Sequence, residues 1–290
     1  MEFFKIELND NRKHDEELLT IFREELIPNL NIEKLLLLAG SDKSRYTIFC
    51  CKIGSKIVSV NIFFILNFIY KKKDYFGYQS GFSATLREFK GKNIWSKLIE
   101  FSESEIRKTD NSFIFGYPNE NSFPLFVEKL NYKTFHLYNY LLIPGKNYFK
   151  FNSLNDIKIE DEYLQVNSAD LFEWKKELFK SEKIKILNNN FGEAFYLSIS
   201  KIKFLFKLNF ITILNIRSEK KSDFECLLNI ILKSNRKLIS IQLPGNFTLT
   251  RFFKVKYNKS IPVIYKNLNC DLQDDIQFLI FSLSRDNVNI

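Results

Sequence analysis

Ser80-Gly-Phe-Ser-Ala-Thr-Leu-Arg-Glu-Phe-Lys-Gly-Lys-Asn-Ile-Trp-Ser-Lys-Leu-Ile99 is the stretch whose reading decides the fold. It begins inside an aromatic, apolar run, Tyr75 to Leu86, that reads as a strand. A basic turn with one glycine follows from Arg87 to Asn93. Beyond it Ile94, Leu98, Phe101 and Ile106 recur at helical spacing to about Lys108. A strand that passes through such a turn into a helix leaves the first backbone N–H groups of that helix without intrahelical partners, and the helix dipole favours an anion there. Arg87, Lys90 and Lys92 add positive charge around the same point. The segment reads either as a phosphate or pyrophosphate cradle or as a solvated turn capped by Asn93.

Upstream, residues 2–7 read as a short strand and Asp15 to Leu26 as an amphipathic helix with Leu18, Leu19, Phe22 and Leu26 inward. Tyr46–Ile53 and Ile57–Tyr70 read as strands joined at Gly54-Ser55. In the second, Val58, Val60, Ile62, Phe64, Leu66 and Phe68 share one face, with Ser59, Asn61 and Asn67 on the other. Lys71 to Asp74 makes a charged turn. Downstream, Phe113–Tyr117 is a strand ended by Pro118, Asn121–Leu130 a short helix, and Tyr132–Ile143 a closing strand. This order is α+β. Its parallel step runs from Tyr75–Leu86 through the helix to Phe113–Tyr117 and should cross over right-handed.

The second half repeats part of this order. Ala194 to Ile216 is strand-like, Phe224, Leu227, Leu228 and Ile231 mark a helix, Leu238–Leu243 a strand, Pro244-Gly245 a turn, and Asn246–Val255 a helix. YPNENSFPLFVEKLNYK (117–133) and LPGNFTLTRFFKVKYNK (243–259) match in pattern more than in identity. The expectation is two copies of one fold, each a mixed, mainly antiparallel sheet flanked by helices, divided as 1–147 and 148–290.

Composition excludes several classes. The 290 residues are 45% hydrophobic, too apolar for a disordered chain. The net charge of +9 is uneven, with 20 basic and 18 acidic residues in 1–145 against 23 and 16 in 146–290. The longest apolar run, Val58 to Tyr70, is shorter than the ~20 residues of a membrane helix. No secretory signal pattern is visible at the start, so the expectation is a cytoplasmic protein. Four Cys and two His (His14 and His136), without a CxxC, have no zinc-ligand spacing, and no metal site is expected.

SATLREFKGKNIWSKL and the downstream FGYPNENSFPLFVEKLNY resemble the GNAT (acyl-CoA N-acyltransferase) superfamily, whose cofactor turn reads (Arg/Gln)-x-x-Gly-x-(Gly/Ala). They are most similar to a bacterial tandem-lobe subgroup that carries a Pro-Asn-Glu-Asn-Ser motif. The resemblance spans about residues 75–145. It implies two tandem GNAT-like lobes, the second degenerate, since NIRSEKKSDFECLL (215–228) has no glycine.

The resemblance implies acetyl-CoA or another acyl-CoA as co-substrate and a small amine as acceptor. For the subgroup's association with surface polysaccharide, the acceptor would be an amino sugar or sugar-nucleotide. Backbone groups of Phe82, Ser83, Ala84 and Thr85 would pair with the pantetheine arm. Arg87 and the amides of Lys90, Gly91, Lys92, Asn93, Ile94 and Trp95 would take the pyrophosphate. Asn121 and Ser122 would flank the thioester, and Phe126 would pack on the cofactor. Asn93 and Trp95 stand where the family has Gly or another small residue, and the family's acid tyrosine falls on Val127.

An attacking amine must lose a proton. Glu120 is the preferred base, with His136 and Tyr138 as the other catalytic candidates and Tyr117 as a further proton donor; each has an ordinary structural reading as well. Failing these, catalysis rests on positioning and a polarised carbonyl. The alternatives are a GNAT fold that binds ligand without turnover, and nucleic-acid binding through the more basic half, where Lys201, Lys203 and Lys207 share a strand face but no recognition motif accompanies them. Nucleic acid is therefore not an expected partner, and the tandem lobes are consistent with a monomer.

Overall fold

In a computed structural model, the described residues are 1–6, 12–31, 45–144, 158–166, 184–203, 206–235, 238–249, 252–256, 260–272 and 277–279. In chain order the elements begin with β1 (Glu2–Ile6), α1 (Arg12–Glu25), β2 (Tyr46–Ile53), β3 (Lys56–Tyr70) and β4 (Lys73–Thr85). There follow α2 (Ile94–Ile106), β5 (Ser112–Gly116), β6 (Lys133–Pro144), α3 (Ile159–Glu162), β7 (Tyr163–Val166) and β8 (Ile184–Asn189). The last are β9 (Gly192–Lys203), β10 (Phe206–Arg217), α4 (Lys221–Asn235), β11 (Leu238–Pro244), β12 (Phe252–Lys256), β13 (Ile261–Asn269) and β14 (Gln277–Leu279).

These elements form two compact units that do not divide the chain at one point. The first holds residues 1–67, 75–134 and 263–272; the second holds 68–74, 135–262 and 273–290. Each unit takes a strand from the other half of the chain, so a cut between 147 and 148 would separate both from part of their own sheet.

In the first unit the strands run β1-β2-β3-β4-β5-β13. β4 and β5 are parallel, as the strand–helix–strand pattern requires, and β13 lies antiparallel to β5 with Ile264 opposite Gly116. Both faces of this sheet are covered. Phe22 of α1 meets Phe82, which meets Phe64, while Leu98, Ile99 and Ile106 of α2 pack with Phe49, Phe63 and Ile114 on the other side. This second covering buries Ser59 and Asn61 completely. Ser59 Oγ meets Ala84 O at 3.1 Å and Thr85 Oγ1 at 2.8 Å.

β13 is pinned by polar contacts as well as by its ladder. Lys266 Nζ donates to Glu103 Oε2 at 2.7 Å and to Leu130 O at 2.9 Å. Arg107 Nη1 donates to Leu268 O at 2.7 Å and the Tyr75 hydroxyl to Asp271 at 2.9 Å.

In the second unit the order is β6-β11-β10-β9-β8, with β12 antiparallel to β6. β10, α4 and β11 repeat β4, α2 and β5, with β10 and β11 parallel. Phe224, Leu227, Leu228 and Ile231 of α4 are fully buried, as their spacing predicts. Two expectations are corrected. Ala194–Ile216 lies within two strands, paired from Glu193↔Arg217 to Lys203↔Phe206. Asn246–Val255 is not a helix, because Phe252 to Lys256 pair with β6 instead. The side chains of Lys201, Lys203 and Lys207 lie outside the described residues. No helix among the described residues is long and apolar enough to cross a membrane.

Candidate active site

The site is built where β4 and β5 part. Their parallel register runs from Phe76↔Ser112 to Ser80↔Gly116. β5 ends at Gly116 while β4 continues to Thr85. Gly81 to Thr85 therefore lie beyond the last β4–β5 pair, and their backbone on that side forms a strand edge open to an added partner. Gly81 has to be glycine because a Cβ there would lie 2.3 Å from Phe64 Cε2 and 3.3 Å from Ile62 O.

After β4, Arg87–Phe89 form a single tight turn and Gly91 sits at φ +77° with open space around it. Asn93 precedes α2 in left-handed geometry (φ 59°, ψ 17°), which Asn tolerates better than most side chains. Its side chain makes no capping bond, so the reading of Asn93 as a side-chain cap is not what the turn contains. Lys97 N–H bonds Asn93 O, and the amides of Ile94, Trp95 and Ser96 precede the first intrahelical donor. No acidic residue occupies the first turn of α2. The surrounding charge is weaker than the sequence suggests. Lys90 is paired with the Glu25 carboxylate at the end of α1, and Lys92 rests 5.1 Å from the Phe89 ring centroid. Arg87 is exposed.

Trp95 crosses from α2 to β4. Its Nε1–H donates to Ser83 Oγ, and its ring meets Phe126 edge-on with centroids 5.0 Å apart. Phe126 in turn meets Tyr132 at 4.9 Å. The indole thus links β4 to Phe126. Asn61 lies on the same face of β3 as Ser59, two residues along, fully buried, and neither of its amide atoms has a partner. Nothing in the sequence pattern singled it out.

The segment after β5 is organised by Asn119. Its Oδ1 accepts from the N–H groups of Asn121 at 3.1 Å and Ser122 at 2.9 Å. The Ser122 hydroxyl meets the same atom at 3.1 Å. The Pro118-Asn119 dipeptide was the signal for such a side-chain turn. The expected helix then forms as a wide π-type turn, Leu125–Lys129, with Leu130 N–H on Leu125 O.

Phe82 to Thr85, Arg87, Lys90 to Trp95, Glu120, Asn121, Ser122 and Phe126 all fall in the first unit, whereas His136 and Tyr138 belong to the second. Glu120 and Asn121 are exposed. Burial pushes the Tyr117 hydroxyl well above its ordinary pKa, so this phenol keeps its proton: it can donate a hydrogen bond but is a poor acid toward a thiolate. Val127 packs against the core. Among the described residues no three His, Cys, Asp or Glu side chains gather as a metal site. No disulfide joins the four cysteines, three of which are buried.

Solved structures with the same architecture include GCN5-related N-acetyltransferases. Eis1 from Mycobacterium abscessus matches 93% of this chain and 74% of its own, with a TM-score of 0.64 at 10% identity. A GCN5-related N-acetyltransferase from Kribbella flavida matches 92% and 72%, at 0.61 and 10% identity. An Enterococcus faecalis protein described as a probable N-acyltransferase matches 93% and 73%, at 0.60 and 11% identity. No protein-family model and no curated protein matches the sequence. At this identity the likeness is one of fold: the chain is an α+β protein with tandem GNAT-like lobes.

Proposed function

We propose that the first unit binds an acyl-CoA and transfers its acyl group to a small primary amine. The observation that supports this most directly is the open β4 edge leading through Gly91 and Asn93 to the uncapped start of α2. Gly81 to Thr85 would pair with the amide-bearing pantetheine arm as an added strand would. The amides of Ile94 to Ser96, with Arg87 and Lys92 nearby, would hold the pyrophosphate. In the reaction the amine nitrogen attacks the thioester carbonyl and loses a proton, the C–S bond breaks, and the thiolate leaves. Glu120 is the candidate proton acceptor. With Val127 offering no proton and Tyr117 holding its own, the thiolate takes its proton from solvent, and the rate rests on positioning.

The subgroup resemblance and an amino sugar or sugar-nucleotide acceptor are part of the same proposal. Calorimetry with acetyl-CoA tests it: the wild type binds and Gly91→Trp, which strains a left-handed position and obstructs the turn, does not. Absent or Gly91-independent binding removes the reading. The place of Val127 also favours a second reading, a lobe that binds acyl-CoA without turnover. Thiol release over a panel of amines separates the two.

A further inference from the structure

The second unit repeats the strand–helix–strand motif, but its own chain lies over the corresponding position. β10 and β11 are paired from Phe210↔Leu238 to Thr212↔Ser240 and then part. Residues 158–166 pack against the turn that follows β10: Ile159 N–H bonds Glu219 O at 2.9 Å, and Gln165 Nε2 donates to Ser218 O at 3.3 Å. From the same segment, Tyr163 meets Phe247 in the turn after β11, with ring centroids 5.1 Å apart. The turn that follows β10 is thus occupied by the chain's own segment 158–166.

What remains beside it is a group of lysines. Lys254 Nζ donates to Phe247 O and stands 4.6 Å from the Tyr140 ring centroid. Lys221 Nζ donates to Thr248 Oγ1. The two acceptors belong to consecutive residues of one turn, and the charge of Lys221 acts on Lys254. Lys256 Nζ lies 3.7 Å from the neighbouring Tyr138 ring centroid. Gly245 lets the turn approach that ring, since a Cβ would stand 3.0 Å from Tyr138 Cε2. None of the ion pairs formed among the described residues involves these three lysines.

Like charges that are partly desolvated and lack a counter-ion are unfavourable unless an anion joins them. The Lys254 pKa is lowered, first by burial and then by the charge of Lys221. Each ammonium spends one donor on the turn and keeps others for a ligand. A tetrahedral oxyanion can accept from more than one ammonium at once. We infer that the second unit carries its own oxyanion site, formed by Lys221, Lys254 and Lys256 around the turn 244–249, whose ligand is phosphate or a small phosphate monoester. The site does not depend on acyl transfer by the first unit.

Calorimetric titration of the full chain at fixed ionic strength, with inorganic phosphate and separately with phenyl phosphate, tests this. Saturable binding is expected in the wild type and in Gly91→Trp. Lys221→Gln and Lys254→Met each weaken it by about tenfold or more, the loss of one charged hydrogen bond, while Lys254→Arg retains it. Tighter binding of phenyl phosphate identifies a phosphorylated small molecule as the ligand, and preference for inorganic phosphate identifies the free ion. If Lys254→Met does not fold, Lys221→Gln, at the first residue of α4, decides alone. No saturable binding, binding unchanged in Lys221→Gln, or binding lost in Gly91→Trp overturns the proposal.

Discussion

Replacing Lys266 by methionine removes the one cation that faces Glu103 through both a hydrogen bond and an ion pair among the described contacts of β13. The two side chains are 25% and 10% exposed, and their N–O distance is 2.7 Å. Lys266 also satisfies Leu130 O at 2.9 Å, at the end of the π-type turn that carries Phe126. The substitution leaves a largely buried carboxylate unpaired and a carbonyl without its donor. Breaking such a pair costs about 3–5 kcal/mol, out of a total stability of roughly 5–15 kcal/mol for a domain.

At the lower end of that range, the expected fall in melting temperature is roughly 6–12 °C. Adding Glu103→Gln removes the stranded charge and should recover about half of the loss or more. Urea unfolding of the wild type and both variants, followed by circular dichroism, measures the loss and the recovery. A loss below about 1 kcal/mol, well under the range for a buried pair, or no recovery with Glu103→Gln, would refute the assignment of this pair as the clasp of the exchanged strand.

Gly192→Ala should destabilise the β9–β10 hairpin strongly, because φ is +123° and the new Cβ would stand 2.2 Å from Arg217 O; thermal unfolding checks it, and an unchanged midpoint contradicts that geometry. Burial raises the hydroxyl pKa of Tyr117 and Tyr132, and that of Tyr163 to about 12. For such groups stability is complete below the ordinary tyrosine range and is lost as pH rises through the raised values. An ultraviolet titration should therefore leave at least these three of the 13 tyrosines protonated at pH about 11, above the ordinary value, until denaturant releases them. Trp95→Phe removes the indole bond to Ser83, which should cost about 1 kcal/mol. With Trp174→Phe isolating it, Trp95 emission should shift when acyl-CoA is added.

The strand–turn–helix at 75–106 was legible because its signals are local: apolar periodicity on either side of one basic, glycine-bearing turn. The repeat of this motif in the second half was legible from the same apolar periodicity, although its turn carries no glycine. What the chain hides are partnerships between distant strands. Residues 133–144 and 261–269 are both apolar runs, and nothing in either tells which sheet will take it; the choice rests on polar contacts such as Lys266–Glu103 and Arg107–Leu268. Asn246–Val255 carries helically spaced apolar residues and a pattern match to 117–133, yet Phe252 to Lys256 find an edge of β6 and become a strand. The break between β9 and β10 was invisible because residues 201–208 contain no Gly, Pro, Asn or Asp. Within the site, the turn at Gly91 and Asn93 could be read from residue type. The commitment of Lys90 to Glu25 and the buried amide of Asn61 could not, because both depend on neighbours remote in sequence.

Hydrogen–deuterium exchange with and without acetyl-CoA tests the central claim most directly, since it reports which backbone amides the ligand covers. The account predicts slowed exchange in two stretches of the first unit, Phe82 to Thr85 and Gly91 to Ser96, with no change along β10 or the turn that follows it. Protection confined to the second unit, or none at ligand concentrations that saturate binding, would contradict it.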